Sequence, residues 1–236
     1  MSFKENFEKT YRKMLGLGFV IFFSIAATFG LLTLGLALIL PTFLFFKLLT
    51  IEFSSQLVQA ISFALSIPFL YFLFGVSLVF IAPLINKILR LNKFIQGFSG
   101  NMYSVETIAW FFHNELVYLT KLFFLNLITP SPLTTLFYKM MGMKVGKNVI
   151  INSTNIYDPC LIEIEDNVLI GGSAFLLGHY GQKGRLVMAK LVIKKGTTVG
   201  LSATVFGNNT IPEKCLIGPH AVVLPKSKLE PNQKIR

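Results

Sequence analysis

Two short stretches carry groups that can move protons where the chain also has turn-forming residues beside them. One is Gly178-His179-Tyr180-Gly181, and the other is Tyr157-Asp158-Pro159. An imidazole ordinarily titrates at about pH 6.5, so it can accept a proton at neutral pH. A histidine held between glycines reads either as such a group or as a polar loop residue without chemistry. Of the other histidines, His113 reads as a polar residue at a membrane interface, and His220 sits in the Gly218-Pro219-His220-Ala221 turn. Cys160 and Cys215 lie far apart and suggest no disulfide framework. Cys215 reads as a small core residue.

What positions these groups is a repeat. Ile193, Val199, Val205, Ile211, Ile217, Val223, Leu229 and Ile235 stand six residues apart. Six-residue spacing fits neither the 3.6 period of a helix nor the alternation of a flat strand. It fits a parallel β-solenoid that turns a corner every six residues and points one aliphatic side chain inward at each turn. Small residues recur four positions later, at Thr197, Ala203, Asn209, Cys215, Ala221 and Ser227. Gly200 and Gly218 follow rung residues and mark corners that need φ > 0 or close backbone approach. Three such faces predict coils of eighteen residues. Earlier rungs are Val145, Ile151 and Tyr157, then Ile164, Ile170 and Leu176. The step from Tyr157 to Ile164 is seven, so one residue is inserted near Asp158-Pro159. From Leu176 to Ile193 is seventeen, one short of three repeats, and the repeat fails over residues 177–192, around His179. Excursions from a rigid scaffold are where function concentrates.

A hydrophobic fraction of 53% is too high for an ordinary soluble chain and is unevenly spread. Residues 14–46 carry no charge, and neither do residues 53–86. Each run exceeds the roughly 20 apolar residues that span a bilayer. The first is too long for a signal peptide's apolar part, and no clear cleavage site follows it. Pro41 predicts a break or tilt in the first run; Pro68, Gly75 and Pro83 interrupt the second. Lys4, Lys9, Arg12 and Lys13 precede the first run, Lys47 lies between the runs, and Lys87, Arg90 and Lys93 follow the second. The positive-inside rule then puts both ends in the cytoplasm, at the inner membrane. A re-entrant hairpin dipping into one leaflet is the alternative and leaves the rest of the chain on the same side. Residues 102–127 are apolar but include Glu106, His113, Glu115 and Lys121; with Ser104 as N-cap and Tyr103, Trp110 and Tyr118 as interfacial aromatics, they read as an amphipathic interfacial helix. A third span is the competing reading. The Thr129-Pro130-Ser131-Pro132 cluster breaks this helix, residues 133–141 form a short helix or turn, and Gly142 opens the solenoid. The expected organisation is a membrane anchor over 1–100, an interfacial helix and linker over 101–141, and a β-solenoid over 142–236. Net charge is +4 before Lys139 and +7 from there on. Such a basic face suits anionic headgroups or a phosphorylated small molecule. No basic motif interleaved with aromatics points to nucleic acid.

Val145-Gly146-Lys147-Asn148-Val149, Ile164-Glu165-Asp166-Asn167-Val168-Leu169-Ile170-Gly171 and Leu177-Gly178-His179 resemble the hexapeptide-repeat acyltransferases. The likeness is to their membrane-associated branch, found at the C-terminus of polylysine-synthetase-type nonribosomal peptide synthetases, and to exopolysaccharide O-acetyltransferases. It extends upstream through Trp110, Asn114, the Pro130–Pro132 breaker and Lys139 to Lys147. The resemblance implies a mixed fold, with N-terminal transmembrane and interfacial helices followed by a left-handed parallel β-helix. It implies His179 as general base, with acetyl-CoA or another acyl-CoA as co-substrate and no metal. It implies a homotrimer whose acyl-CoA groove lies between subunits. Main-chain groups of Gly200, Ser202 and Ala203 would meet the pantetheine, and Lys226 and Lys228 the phosphates; those lysines read equally as a solvated face. Asp158 either orients the imidazole or acceptor, or simply forms an Asp-Pro corner. Glu165 stands where the family pattern has glycine. The expected partners are the lipid bilayer and a small-molecule, glycan or lipid-linked acceptor. A non-catalytic trimeric scaffold is the second reading. A γ-type carbonic anhydrase would need three histidine ligands, and the solenoid offers only His179 and His220.

Overall fold

The computed structural model describes residues 15–95, 97–101 and 104–236. Lys4, Lys9, Arg12 and Lys13, on which part of the orientation argument rests, and the aromatic Tyr103 lie outside the described residues. Two long helices come first, α1 (Leu15–Leu49) and α2 (Gln56–Ile88), packed against each other. Ser55 caps α2, its hydroxyl accepting from the Val58 N–H at 3.3 Å. Both helices are long and apolar enough to cross a membrane. Neither breaks at its prolines, because Pro41, Pro68 and Pro83 sit inside continuous helix. A proline removes one ladder bond, which kinks a long helix without ending it when the turns on both sides persist. At 35 and 33 residues the helices are about 50 Å long, while the hydrocarbon core of a bilayer is about 30 Å thick. The surplus is used at the base of the hairpin. There Phe22 and Phe29 of α1 meet Phe111 and Phe112, and Phe72 and Phe74 of α2 meet Phe124 and Phe123. Towards the tip, large apolar side chains from Leu31 to Phe69 are exposed.

After α3 (Asn92–Ile95) and strand β1 (Ser99–Asn101) comes α4 (Val105–Thr120). Ser104 caps α4 as expected, accepting from the Thr107 N–H at 3.2 Å. A π-helical turn (Lys121–Leu125) and the short α5 (Asn126–Ile128) continue it. α4, which the sequence reads as an interfacial helix, packs against α1 and α2, with His113, Leu116 and Thr120 fully buried. Its polar residues find partners inside the protein. His113 Nδ1 lies 2.9 Å from Asn86 Oδ1 of α2, and Asn86 donates to Asn92, which donates to the Met141 carbonyl. Burial pushes the His113 imidazole down to about 4, against the opposing pull of the Asp158 charge, so the ring is neutral. Helix α6 (Pro132–Met140) starts at Ser131, whose hydroxyl accepts from the Thr134 N–H, with proline in the first turn.

From Lys144 on the chain is a left-handed parallel β-helix with three faces. One face stacks β2 (Lys144–Val145), β5 (Ile162–Ile164), β10 (Leu191–Ile193) and β13 (Asn209–Ile211). The second stacks β3 (Ile150–Ile151), β6 (Leu169–Ile170), β11 (Thr198–Val199), β14 (Leu216–Ile217) and β16 (Lys234–Ile235). The third stacks β4 (Ile156–Tyr157), β7 (Phe175–Leu177), β12 (Thr204–Phe206) and β15 (Val222–Val223). Val199 pairs with Ile217 and Ile217 with Ile235, the offset that three six-residue faces require. Ile193, Val199, Val205, Ile211, Ile217 and Val223 are buried; Leu229 and Ile235, in the last coil, are half-buried. Tyr157 is not the inward rung. Ile156 pairs with Leu176 and is fully buried, and Tyr157 points outward. The Ser153 hydroxyl donates to the Ala174 carbonyl and accepts from the Asn155 N–H, a tight turn that shortens this face by one residue. The corner glycines serve close approach: a Cβ on Gly200 would lie 2.7 Å from Pro219 N, and neither Gly200 nor Gly218 has positive φ. The left-handed positions come two residues later, at Ser202 and His220.

A single hydrophobic core runs from Val79 and Leu116 through Phe124, Phe137 and Met141 into the solenoid rungs. It crosses residues 100–101 and 141–142, so anchor, linker and solenoid share an interior. Truncating a rung should therefore destabilise the whole chain. Ile193→Ala is expected to cost about 2–5 kcal/mol, and Ile150→Ala, on the solvent side of its strand, within about 0.5 kcal/mol of nothing. Thermal unfolding followed by circular dichroism in detergent reads the difference.

Candidate active site

The missing stretch of the repeat is an insertion and contains no shortened coils. Leu176 pairs with Val205 while Ile164 pairs with Ile193, so the face that ends at Leu177 is followed directly by the face that begins at Leu191. Between them stands an antiparallel hairpin, β8 (His179–Gln182) and β9 (Arg185–Met188). Lys183 (φ 49°) and Gly184 (φ 72°) form its two-residue turn, both in the left-handed conformation that matches the twist of a hairpin. β1 adds a third strand, pairing Gly100 with Leu186, and the Arg185 guanidinium donates to the Ser99 carbonyl. Leu186 and Met188 pack against Ile95, Leu161, Phe98 and Trp110. The hairpin that begins at His179 is thereby held by pairing along its β9 edge and by packing of β9 side chains.

The insertion at Asp158 lies directly beneath. Asp158 takes a left-handed backbone (φ 58°) and starts a 3₁₀ turn over Pro159–Leu161. Gly178 stacks on it so closely that a Cβ there would lie 2.8 Å from the Asp158 Cβ and from the Leu161 Cβ. The two irregularities in the sequence are thus one place in space. The imidazole and the carboxylate meet there, with His179 Nδ1 2.5 Å from Asp158 Oδ2. The other carboxylate oxygen accepts from Trp110 Nε1 at 2.6 Å and from Asn114 Nδ2 at 2.7 Å, and the Asp158 N–H donates back to Asn114 Oδ1 at 3.1 Å. Trp110 also stands edge-on to the imidazole, ring centroids 4.9 Å apart. Asp158 is fully buried, whereas the His179 side chain is 23% exposed.

Burial alone pushes the Asp158 carboxyl up. The hydrogen bond and charge of His179, then the Asn114 amide, outweigh it and hold the group below the usual carboxylate range. An ionised carboxylate only accepts hydrogen bonds, so Nδ1 of His179 is the donor in this contact, and in the neutral ring Nε2 is the nitrogen with the free lone pair. The nearby Cys160 is no competing nucleophile: burial, with the Asp158 charge adding to it, pushes its thiol up to about 12. His179 and Tyr157 face a cavity of about 600 Å³ walled by α1 and α4.

The coil residues expected to bind the co-substrate lie elsewhere. Gly200 belongs to the corner column of Gly171 and Gly218, while Gly178 stacks with Gly207 on another edge. The Gly200 N–H donates to Ile217, that of Ser202 to Gly172 and that of Ala203 to Gly200, so all three are engaged within the coils. The Ala203 side chain is buried. The Lys226 N–H donates to Asn208, whose side-chain amide donates to the Tyr180 hydroxyl, so Lys226 shares the edge that carries the hairpin. Lys228 is exposed. Glu165 pairs with Lys194 at 2.6 Å and accepts from the Lys195 N–H, joining adjacent coils. Trp110 and Asn114 are what sequence reasoning missed as site residues. Their signal was the four-residue spacing that puts both on one helical face.

A carboxyl held below its ordinary pKa stabilises the fold at pH above the unfolded value, about 3.9, and that contribution disappears as pH falls through the folded value. The melting temperature should therefore drop as pH goes below about 4, and Asp158→Asn should flatten that decline. Thermal scans of both proteins across the acid range read this.

No protein-family model matches the sequence. Over 88 residues it is 38% identical to a Delta-poly-L-ornithine synthetase of Acinetobacter baumannii (strain AB307-0294), a match that spans 37% of this chain and only 6% of that protein. Among solved structures, the chain is similar to a maltose O-acetyltransferase from Clostridium difficile 630, with a TM-score of 0.43 and 19% identity over 60% of this chain and 89% of that one. It is also similar to the serine acetyltransferase of Brucella abortus strain S19, with a TM-score of 0.35 and 16% identity over 66% and 50% of the two chains. The serine acetyltransferase of Neisseria gonorrhoeae, solved in complex with serine, gives a TM-score of 0.36 and 15% identity over 70% and 53%.

Proposed function

We propose that the chain is a membrane-anchored acyltransferase that moves an acyl group, acetyl in the simplest case, from acyl-CoA to a hydroxyl or amine. The observation that carries this reading is the His179–Asp158 pair, a half-exposed imidazole whose inner nitrogen is tied to a buried carboxylate. His179 Nε2 takes the proton from the acceptor O–H or N–H as that atom attacks the thioester carbonyl. Collapse of the tetrahedral adduct breaks the C–S bond, and the CoA thiolate takes the proton back from the imidazolium. Asp158 keeps the ring in the tautomer that accepts at Nε2 and stabilises the positive ring in between. Trp110 and Asn114 hold the carboxylate that does this.

The remaining assignments follow from the resemblance. Gly200, Ser202 and Ala203 sit on a different edge from His179, so a second copy in a trimer would bring such an edge alongside the hairpin and complete the acyl-CoA groove. Lys226 and Lys228 are the residues to meet its phosphates. The helix pair anchors the chain in the inner membrane with the solenoid in the cytoplasm, where acyl-CoA is available. The name of the partly matching relative, a polyornithine synthetase, keeps an amine acceptor in play beside a sugar or lipid hydroxyl.

His179→Ala is expected to lower acyl transfer by about 10²–10⁴-fold, and to lower the melting temperature as well because the buried Asp158 carboxylate loses a donor. Mass spectrometry of envelope glycans and lipids from cells carrying wild-type or variant protein should show an acyl group lost with the variant. Full transfer by His179→Ala would overturn His179 as the base. Independently, acetyl-CoA at a hundredfold excess over its dissociation constant should stabilise the protein by about 2.7 kcal/mol. No rise in melting temperature at millimolar acetyl-CoA would count against it as the co-substrate.

A further inference from the structure

The cavity beside His179 is lined mostly by apolar and aromatic side chains. Its volume of about 600 Å³ is that of a site for a sizeable small molecule. Phe23 and Ala27 of α1 and Phe111 of α4 form much of its wall, with Trp110 and His179 at the reacting end. A sugar ring placed there would bury hydroxyls with few partners, since the Trp110 and Asn114 donors are already committed to Asp158. Apolar chain has no such cost.

One polar group stands out in this wall. Glu115 places Oε1 against Gly30 of α1, and its Oε2 is buried without a hydrogen-bond partner among the described residues. Burial pushes this carboxyl up to about 7. A carboxyl that lacks a donor is suited to a head group bearing O–H or N–H, and a thioester offers neither. The location points the same way. Phe23 and Ala27 lie within the run of exposed apolar side chains that α1 carries from Leu17 onward, and the exposed Phe23 and Tyr118 are among the lining residues. A chain leaving the cavity along α1 passes onto the surface that would face lipid.

We propose that this cavity is the acceptor's apolar subsite: the acyl group goes to a hydroxyl or amine on the head of a membrane amphiphile whose chain lies between α1 and α4, with Glu115 accepting from the head. This deepens, and rests on, the reading of His179 as the base.

Trp110 is the chain's one tryptophan, so its fluorescence reports on the cavity alone. The probe is dodecanol brominated on the carbons next to its hydroxyl-bearing carbon, titrated into the full-length protein in an unbrominated detergent. A saturable quench of most of the fluorescence is expected, reversed by excess plain dodecanol. Ala27→Phe, which fills the cavity from the exposed side of α1, should abolish the saturable part. Leu31→Phe, farther along the same helix, should leave it intact. Non-saturable quenching that is identical in wild type and Ala27→Phe would mean partition into the micelle only and would overturn the proposal. Displacement of the probe by hexadecanoyl-CoA but not by acetyl-CoA would assign the cavity to the donor's chain and overturn it equally. His179→Ala separates the two readings. Acyl transfer retained by this variant sinks the catalytic role alone, while the subsite is read separately, in the wild-type background, by the saturable quenching that Ala27→Phe abolishes and Leu31→Phe leaves intact.

Discussion

The carboxylate of Asp158 is the constraint on which the rest of the architecture depends. A buried carboxylate is costly unless several donors surround it, and losing one leaves an uncompensated charge. Its donors here come from two distant parts of the chain: Trp110 and Asn114 from α4, and His179 from the hairpin. Satisfying one side chain therefore fixes the helical part against the solenoid and the hairpin against both. The shared core supplies most of the apolar stabilisation across that junction, but it is not directional. The hydrogen bonds to Asp158 are what define how the parts meet.

The solenoid's contribution is stiffness and coincidence. Because each coil stacks on the previous one, an insertion at Asp158 and another after Gly178 fall at the same edge of the prism. Gly178 has no side chain, and this lets the two approach within contact. The hairpin could have been a mobile loop. Pairing to β1 and packing of Leu186 and Met188 against Ile95 and Leu161 hold it down instead. An imidazole on a strand paired in a sheet is held closer to one geometry than it would be on a free loop.

The helix pair contributes more than attachment. Its length exceeds what a bilayer needs, and the excess at its base becomes one wall of the cavity next to the imidazole. The helix pair and the His179–Asp158 pair are thus continuous, joined through α4. The buried line from His113 through Asn86 and Asn92 to the Met141 carbonyl belongs to the same junction, tying α4 and α2 to the start of the solenoid.

The sequence by itself determined most of the repeating and composition-driven features. The aliphatic ladder from Ile193, the small residues beside it, the two apolar runs, the Ser104 cap and the place where the repeat fails at His179 were all legible, because each depends on neighbours a few residues away. Reading by local pattern misled where packing decided. Tyr157 kept the six-residue count, yet Ile156 is the inward residue, because the turn at Ser153–Asn155 is one residue short. The polar residues of α4 suggested a water-facing side, but His113 found Asn86 in the interior. The prolines of α1 and α2 signalled breaks that the flanking turns did not allow. Only the tertiary structure could show that Trp110, Asn114, Asp158 and His179 converge. Their hydrogen bonds join residues up to 48 positions apart, and no local spacing encodes a contact made by bringing a helix against a coil edge. Periodicity specifies which residues face inward; which of those facing outward meet one another is fixed by how the separate parts pack.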